Sequence, residues 1–207
     1  TVIVTGHTGF KGSWLSLWLI TMGAKVIGIS KNVPTKPSHF DVINLKKKVK
    51  HLTLDICNFK KLSNQFKKYN PDFVFHLAAQ SLVKKSYFET LETWNTNTIG
   101  TLNVLESLRK LKKKTYVVII TSDKSYKNIE ISRGYKETDI LGGKDPYSAS
   151  KGSAELAIQS YIHSFFSQKK NNIHVTVARA GNVIGGGDWS NDRIIPDCVK
   201  SYSKKKT

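Results

Sequence analysis

The chain opens with the feature that most limits its fold. A β-branched run, Val2-Ile3-Val4, leads directly into Thr-Gly-His-Thr-Gly-Phe-Lys-Gly at residues 5–12, and an apolar stretch over residues 13–20 follows. A strand that ends in glycines and restarts as a helix has few architectures open to it. Gly6 suits a tight turn, Gly9 lets another backbone approach a diphosphate, and Gly12 lets the helix lie against the sheet. The N–H groups and dipole at the helix start favour a bound diphosphate. A glycine-rich turn with no ligand is the plainer alternative, and the strand–turn–helix context speaks against it.

Strands and helices then alternate, which predicts a parallel sheet covered on both faces. Strands are expected over residues 25–29, 51–54, 73–77, 116–121 and 174–179. Pro34 and Pro37 make residues 30–38 a loop. Asn58 is expected to cap a helix with Phe59, Leu62 and Phe66 on one face. Longer helices are expected over about 90–110 and from Tyr147 to about 167, with a third over 194–203. An irregular excursion occupies residues 127–145, and a glycine-rich loop occupies 181–191.

Composition narrows the class. At 207 residues the chain can bury a proper core and reads as one domain with part of a second. It lacks an initiator Met, and the expectation is an N-terminal fragment of a longer protein. No apolar run is long enough to span a bilayer, and no secretory leader is visible. Cys57 and Cys198 are isolated, as in a reduced, cytoplasmic protein, and no metal site is expected. The formal charge of +18 gathers in lysine runs at residues 46–48, 112–114 and 204–206. Such a field draws in diphosphates. No nucleic-acid-reading module accompanies it, so specific nucleic-acid binding is not expected.

Two further stretches carry chemistry. Tyr147 and Lys151 are four apart at the start of a helix and share a face. A tyrosine titrates near ~10, and a neighbouring cation is expected to lower that value and make the phenol a usable base. Lys151 can also hold a ribose hydroxyl. Ser122, Asp123 and Lys124 follow the fifth strand, at the edge where open parallel sheets bind ligands. Ser122 is a candidate sugar-hydroxyl contact, and Asp123 and Lys124 add an acid and a cation. A surface ion pair is the bland alternative for those two.

Taken together, residues 5–12, 75–80 (Phe-His-Leu-Ala-Ala-Gln), 97–100 (Asn-Thr-Ile-Gly), 120–124 (Ile-Thr-Ser-Asp-Lys), 147–151 and 179–189 resemble the extended short-chain dehydrogenase/reductase superfamily. Within its NAD-dependent epimerase/dehydratase family the likeness is to the CDP-glucose 4,6-dehydratases, across nearly the whole chain. Sister dehydratases usually carry a glutamate where this chain has Lys124. The resemblance implies a doubly wound α/β Rossmann-type domain over residues 1–180, with 181–207 opening an interleaved substrate domain that is mostly missing. It implies NAD as cofactor, with Gly6, Gly9, Phe10 and Gly12 at the diphosphate and Asp55 and Ile56 at the adenine. Ala78, Ala79 and Gln80 would line the cofactor, and Tyr147 and Lys151 would meet its nicotinamide end. Ser122, Asn182 and Arg193 would contact the sugar nucleotide, and the matching Asn97 would hold the site together.

The implied reaction is conversion of CDP-glucose to CDP-4-keto-6-deoxyglucose plus water, of the kind used in deoxysugar and lipopolysaccharide O-antigen synthesis. Ser122, Asp123, Lys124, Tyr147 and Lys151 form its catalytic set. Alternatives are a 4-epimerase or reductase of the same superfamily, or a non-catalytic dinucleotide sensor. Relatives pair through the two long helices, so a homo-oligomer is expected, with no membrane partner. One departure stands out. Residues 29–31 read Ile-Ser-Lys, with no acid at the end of the second strand to take a ribose 2′-hydroxyl. By charge alone, Ser30 and Lys31 suit the 2′-phosphate of NADP, whereas the resemblance implies NAD.

Overall fold

A computed structural model describes residues 1–168 and 171–204. Of the lysine run at 204–206, residues 205 and 206 lie outside the described residues. Six strands, β1 (Val2–Thr5), β2 (Val26–Ser30), β3 (Lys50–Thr53), β4 (Phe73–His76), β5 (Thr115–Ile120) and β6 (Ile173–Ala178), form one parallel sheet in the order β3-β2-β1-β4-β5-β6. Every residue of β1 and β2 is buried. These central strands are covered on both faces, which is why they read as continuous β-branched runs. The strand order reverses between β1 and β4, and a crevice at such a reversal is where open sheets bind ligands.

The helices are α1 (Phe10–Thr21), α2 (His39–Val42), α3 (Phe59–Tyr69), α4 (Val83–Phe88), α5 (Thr90–Trp94), α6 (Gly100–Arg109), α7 (Pro146–Tyr161) and α8 (Ile194–Ser203). Asn58 caps α3 as expected, its side chain accepting from Lys61 N, and Leu62 and Phe66 are buried. Asp145 caps α7 by accepting from Ser148 N at 3.0 Å, with Pro146 in the first turn. The expected helix over 90–110 is not uniform. A π-helical turn, Asn95–Ile99, joins α5 to α6, and Asn97 on that turn is buried and faces inward. A second π turn, Ile162–Phe166, prolongs α7. The one-turn α2 and the short α4 were not foreseen.

One face of the sheet packs Ile3, Ile27 and Val117 against Leu62 and Phe66 of α3, Leu105 and Leu108 of α6, and Ile158 of α7. On the other face, Val2, Val4 and Val26 meet Leu15 and Leu19 of α1. No helix among the described residues is long and apolar enough to cross a membrane.

Polar groups are also buried between β1 and β4. Leu77 N and Ala78 N both donate to Thr5 Oγ1 at 3.2 Å, so the Thr5 hydroxyl proton is free to go to His76 Nδ1, 2.7 Å away. The His76 proton therefore sits on Nε2 and reaches Thr101 Oγ1 at 3.1 Å, while Thr101 donates to Asn97 O at 2.6 Å. Burial, and then Lys151, lower the His76 pKa to about 3. Burial, and then His51, lower that of His7 to about 4.

Both rings stay neutral in the fold but take up a proton near 6.5 once unfolded. The unfolded state then binds more protons, so stability rises with pH and falls on acidification. Denaturant midpoints should hold near neutrality and drop steadily from pH 6.5 towards 4, above the range where most carboxylates titrate. A flat profile across that window would contradict buried neutral histidines.

The turn after β1 gives a second prediction. A Cβ on Gly12 would lie 2.1 Å from Gly6 O and 2.7 Å from Gly6 C, which only a backbone shift can relieve. Gly23 adopts a positive φ, but nothing lies within 4 Å of its Cβ position. Gly12→Ala should therefore cost about 3 kcal/mol, and Gly23→Ala about 1 kcal/mol, by urea denaturation. Equal costs would show that α1 does not depend on the close approach.

Candidate active site

The site is assembled along the carboxyl edge of the sheet. Gly9 precedes α1, no side chain caps the helix, and the first-turn N–H groups remain available. A Cβ on Gly9 would meet only Gly6 O, at 3.3 Å, so this turn is open to a ligand. Gly6 (φ +77°) lies against the start of the next loop, where its Cβ would come 2.7 Å from Ala78 N. Phe10 turns towards the loop after β6, its ring 3.2 Å from the Gly185 Cβ position. Lys11 is exposed as a residue, yet its ammonium is partly sunk in the cleft. That desolvation, and then Arg193, lower its pKa. Arg193 donates from Nη2 to Ser81 Oγ at 3.4 Å, while its buried Nε has no partner. A buried, unpaired guanidinium N–H beside a lysine and an open helix start fits a diphosphate. The residues present therefore fit the diphosphate of a dinucleotide.

At the β2–β3 end, Ile56 is buried against Gly100 of α6, and Asp55 Oδ1 accepts from Cys57 N at 2.8 Å. Ser30 and Lys31 are not free for a 2′-phosphate as charge alone suggests. Ser30 is 5% exposed, with its Oγ 2.9 Å from His7 Nδ1. Lys31 is paired with Asp55 and Glu92.

After β4, Ala78, Ala79 and Gln80 run along the crevice, braced from behind. Asn97 Oδ1 accepts from Gln80 N at 2.9 Å, and Asn97 Nδ2 donates to Gln80 O and to Ser150 Oγ. Asn97 thus ties the loop after β4 to α7, next to Lys151. The Gln80 side chain is spent on Leu82 and Thr93, so what it offers a cofactor is backbone.

Ser122, Tyr147 and Lys151 are brought together at the β5 end, all less than a tenth exposed. Ser86 on α4 accepts from Tyr147 N at 3.2 Å, so that short helix fixes the start of α7. Ser122 Oγ donates to Asp123 Oδ1 at 3.0 Å and accepts from Lys124 N at 3.2 Å. Asp123 and Lys124 are exposed, and Gly181 faces Asp123 across the crevice.

The expected lowering of the Tyr147 pKa is not found. Burial raises it, with Ser122 and then Arg193 opposing that shift. Burial, and then Lys11, lower Lys151 to about 8, while Glu155 holds it up. The i,i+4 rule places the two side chains together but does not register the desolvation of the phenol.

Glu155, one turn beyond Lys151, was missed, although its i+4 spacing on the inner face of α7 could have flagged it. It is 1% exposed and accepts from Arg179 Nε and Nη2, both at 2.7 Å, and from Thr121 Oγ1. Removing either charge of such a pair costs about 3–5 kcal/mol, so it clamps α7 onto the ends of β5 and β6. Asn182 is exposed on the loop after β6. Trp14 Nε1 donates to Gly186 O at 2.8 Å and holds that loop against α1.

Comparison with known proteins agrees with this layout. The CDP-glucose 4,6-dehydratase of Salmonella typhimurium is 47% identical over 208 residues, covering 99% of this chain and 58% of that enzyme. The UDP-glucose 4-epimerase of Thermotoga maritima, solved with UDP-glucose, superposes with a TM-score of 0.85 at 25% identity, over 99% of this chain and 63% of that one. The Thermus thermophilus UDP-glucose 4-epimerase in complex with NAD gives 0.77 at 27% identity, over 92% and 58%. The chain thus spans about three-fifths of the length of these relatives. The family described as GDP-mannose 4,6 dehydratase matches residues 3–187, and the chain belongs to that family.

Proposed function

We propose that this chain provides the cofactor-binding and catalytic part of a sugar-nucleotide 4,6-dehydratase acting on CDP-glucose with NAD. The observation that carries the reading is Asp123 hydrogen-bonded to Ser122 beside buried Tyr147. A proton donor at that place serves elimination of water, a step that an epimerase does not need. Similarity to the Salmonella enzyme supports the CDP-sugar, and the NAD complex of the Thermus relative supports the cofactor. Residues 1–180 are read as the cofactor domain and 181–207 as the opening of the substrate domain, where Asn182 and Arg193 would meet the sugar nucleotide. Exposed Leu91, Ile99, Leu156 and Phe165 on the two long helices support pairing with a second copy.

The chain's residues then have distinct tasks. The α1 start, Lys11 and Arg193 hold negative charge, the loop at 78–80 lines the cofactor, and Lys151 holds the nicotinamide ribose. NAD, when bound, would supply the hydride acceptor for C4 and the hydride donor for C6. Tyr147 takes the proton of the 4-hydroxyl, oriented by Ser122. The resulting ketone acidifies the C5 proton, and Asp123 protonates the departing 6-hydroxyl, so one water leaves. Lys124 serves at C5, either as the base or as a cation stabilising the enolate. C5 regains a proton, and the net change is loss of water alone.

Mass spectrometry of the full-length protein with CDP-, dTDP-, GDP- and UDP-glucose should show loss of water from the CDP-sugar. A product of unchanged mass with an inverted C4 would place it with the epimerases. Tyr147→Phe should slow turnover roughly 10²–10⁴-fold with NAD binding retained, and unchanged turnover would remove Tyr147 from the chemistry. Asp123→Asn should pass C4 oxidation and accumulate the 4-keto-glucose intermediate. Lys124→Ala should slow deuterium exchange at C5.

A further inference from the structure

The sequence lacks an acid at the end of β2, where dinucleotide enzymes selective for a free ribose usually place one. The structure assembles carboxylates at that place from elsewhere. Ser30 and Thr53 are register partners on β2 and β3, so Lys31 and Asp55, just beyond them, emerge side by side on the carboxyl edge. Lys31 Nζ lies 3.1 Å from Asp55 Oδ2 and 2.8 Å from Glu92 Oε1, the latter arriving from α5. Asp55 is oriented for this contact because its other oxygen accepts from Cys57 N. Glu92 Oε1 also accepts from Thr96 Oγ1 at 3.3 Å.

The residue that could have turned this edge towards a phosphate is sequestered. Ser30 Oγ is held by His7 Nδ1 and accepts from Thr8 N at 3.3 Å. Lys31 is the only cation of the clasp and faces two carboxylates, leaving the cluster with an excess of negative charge. That sign is unusual for a chain with 33 Lys and Arg against 15 Asp and Glu, whose overall field attracts anions. Stability does not account for it. The three side chains are between a third and just over half exposed, and pairs this exposed contribute about 0–1 kcal/mol.

A ribose 2′-hydroxyl at this edge can donate to a carboxylate. A 2′-phosphate brings roughly −1.5 to −2 charges to a cluster whose one ammonium is already engaged. The geometry points to the Lys31–Asp55–Glu92 clasp as the element that selects a dinucleotide with a free adenosine 2′-hydroxyl and rejects its 2′-phosphate, with Glu92 as the specificity-determining residue. This inference rests on the reading that the chain binds a nicotinamide dinucleotide. The Glu92 and Asp55 contacts, in that order, raise the Lys31 pKa, so its charge persists at any working pH.

Calorimetry with NAD⁺ and NADP⁺, repeated with 5′-ADP and 2′,5′-ADP as adenosine-end probes, tests the clasp on the wild-type chain and on Glu92→Gln. A thermal melt confirms that the variant folds. Wild type should favour NAD⁺ and 5′-ADP, and the preference should narrow at high salt, because repulsion between half-exposed charges is screened. Glu92→Gln should raise NADP⁺ and 2′,5′-ADP affinity about tenfold while NAD⁺ affinity changes less than threefold. An unchanged NAD⁺/NADP⁺ ratio in a folded variant that still binds NAD⁺ would overturn the clasp and leave the cofactor reading standing. A wild-type preference for NADP⁺ would also overturn the clasp. Failure of wild type to bind either dinucleotide would overturn the cofactor reading and the clasp with it.

Discussion

How closely α1 can approach the turn after β1 decides what the carboxyl edge of the sheet can do. Gly12 has no side chain where a Cβ would fall 2.1 Å from Gly6 O, and the helix start therefore sits directly over the end of β1. Its unpaired N–H groups and positive dipole end open into the crevice between β1 and β4. The same turn presses Gly6 against the loop at Ala78, bringing the loops after β1 and β4 together. A side chain at either position would separate the anion cradle from the residues that line the rest of the cleft.

Beneath this cradle the structure keeps its polar groups neutral and fully paired. The route from Thr5 through His76 and Thr101 to Asn97 gives each proton one direction. Asn97 then carries the order to Gln80 and Ser150. Charge is handled differently nearby. Lys151 is lowered in pKa by its burial and then by Lys11, against the opposing pull of Glu155, which is itself neutralised by Arg179. Tyr147 is raised by its burial. These residues are thus poised by desolvation, and a bound anion or the charge of a cofactor would move them strongly in a cleft of low dielectric.

Much of this was legible in the sequence. The strands were readable because central parallel strands are apolar along their whole length, and the glycine triplet fixed where α1 begins. The Tyr147–Lys151 spacing located the start of α7, and the polar residues after β5 marked the ligand-binding edge. Short polar helices such as α2 and α4 lack a periodic apolar face long enough to be seen. The π turn at Asn97 inserts a residue that no spacing rule anticipates. Pairings between distant segments, such as Glu155 with Arg179 or Lys31 with Asp55 and Glu92, depend on which strand ends lie side by side. The raised phenol of Tyr147 was misjudged because its neighbouring cation is visible in sequence and its burial is not.

The most direct test of the account is a crystal structure of the chain with NAD⁺ bound. The diphosphate should lie on the N–H groups at the start of α1, and the nicotinamide ribose should meet Lys151 beside Tyr147. A dinucleotide seated elsewhere, such as the apolar groove between Trp14, Trp18 and Ile184, would contradict the assignment of the β1–β4 crevice.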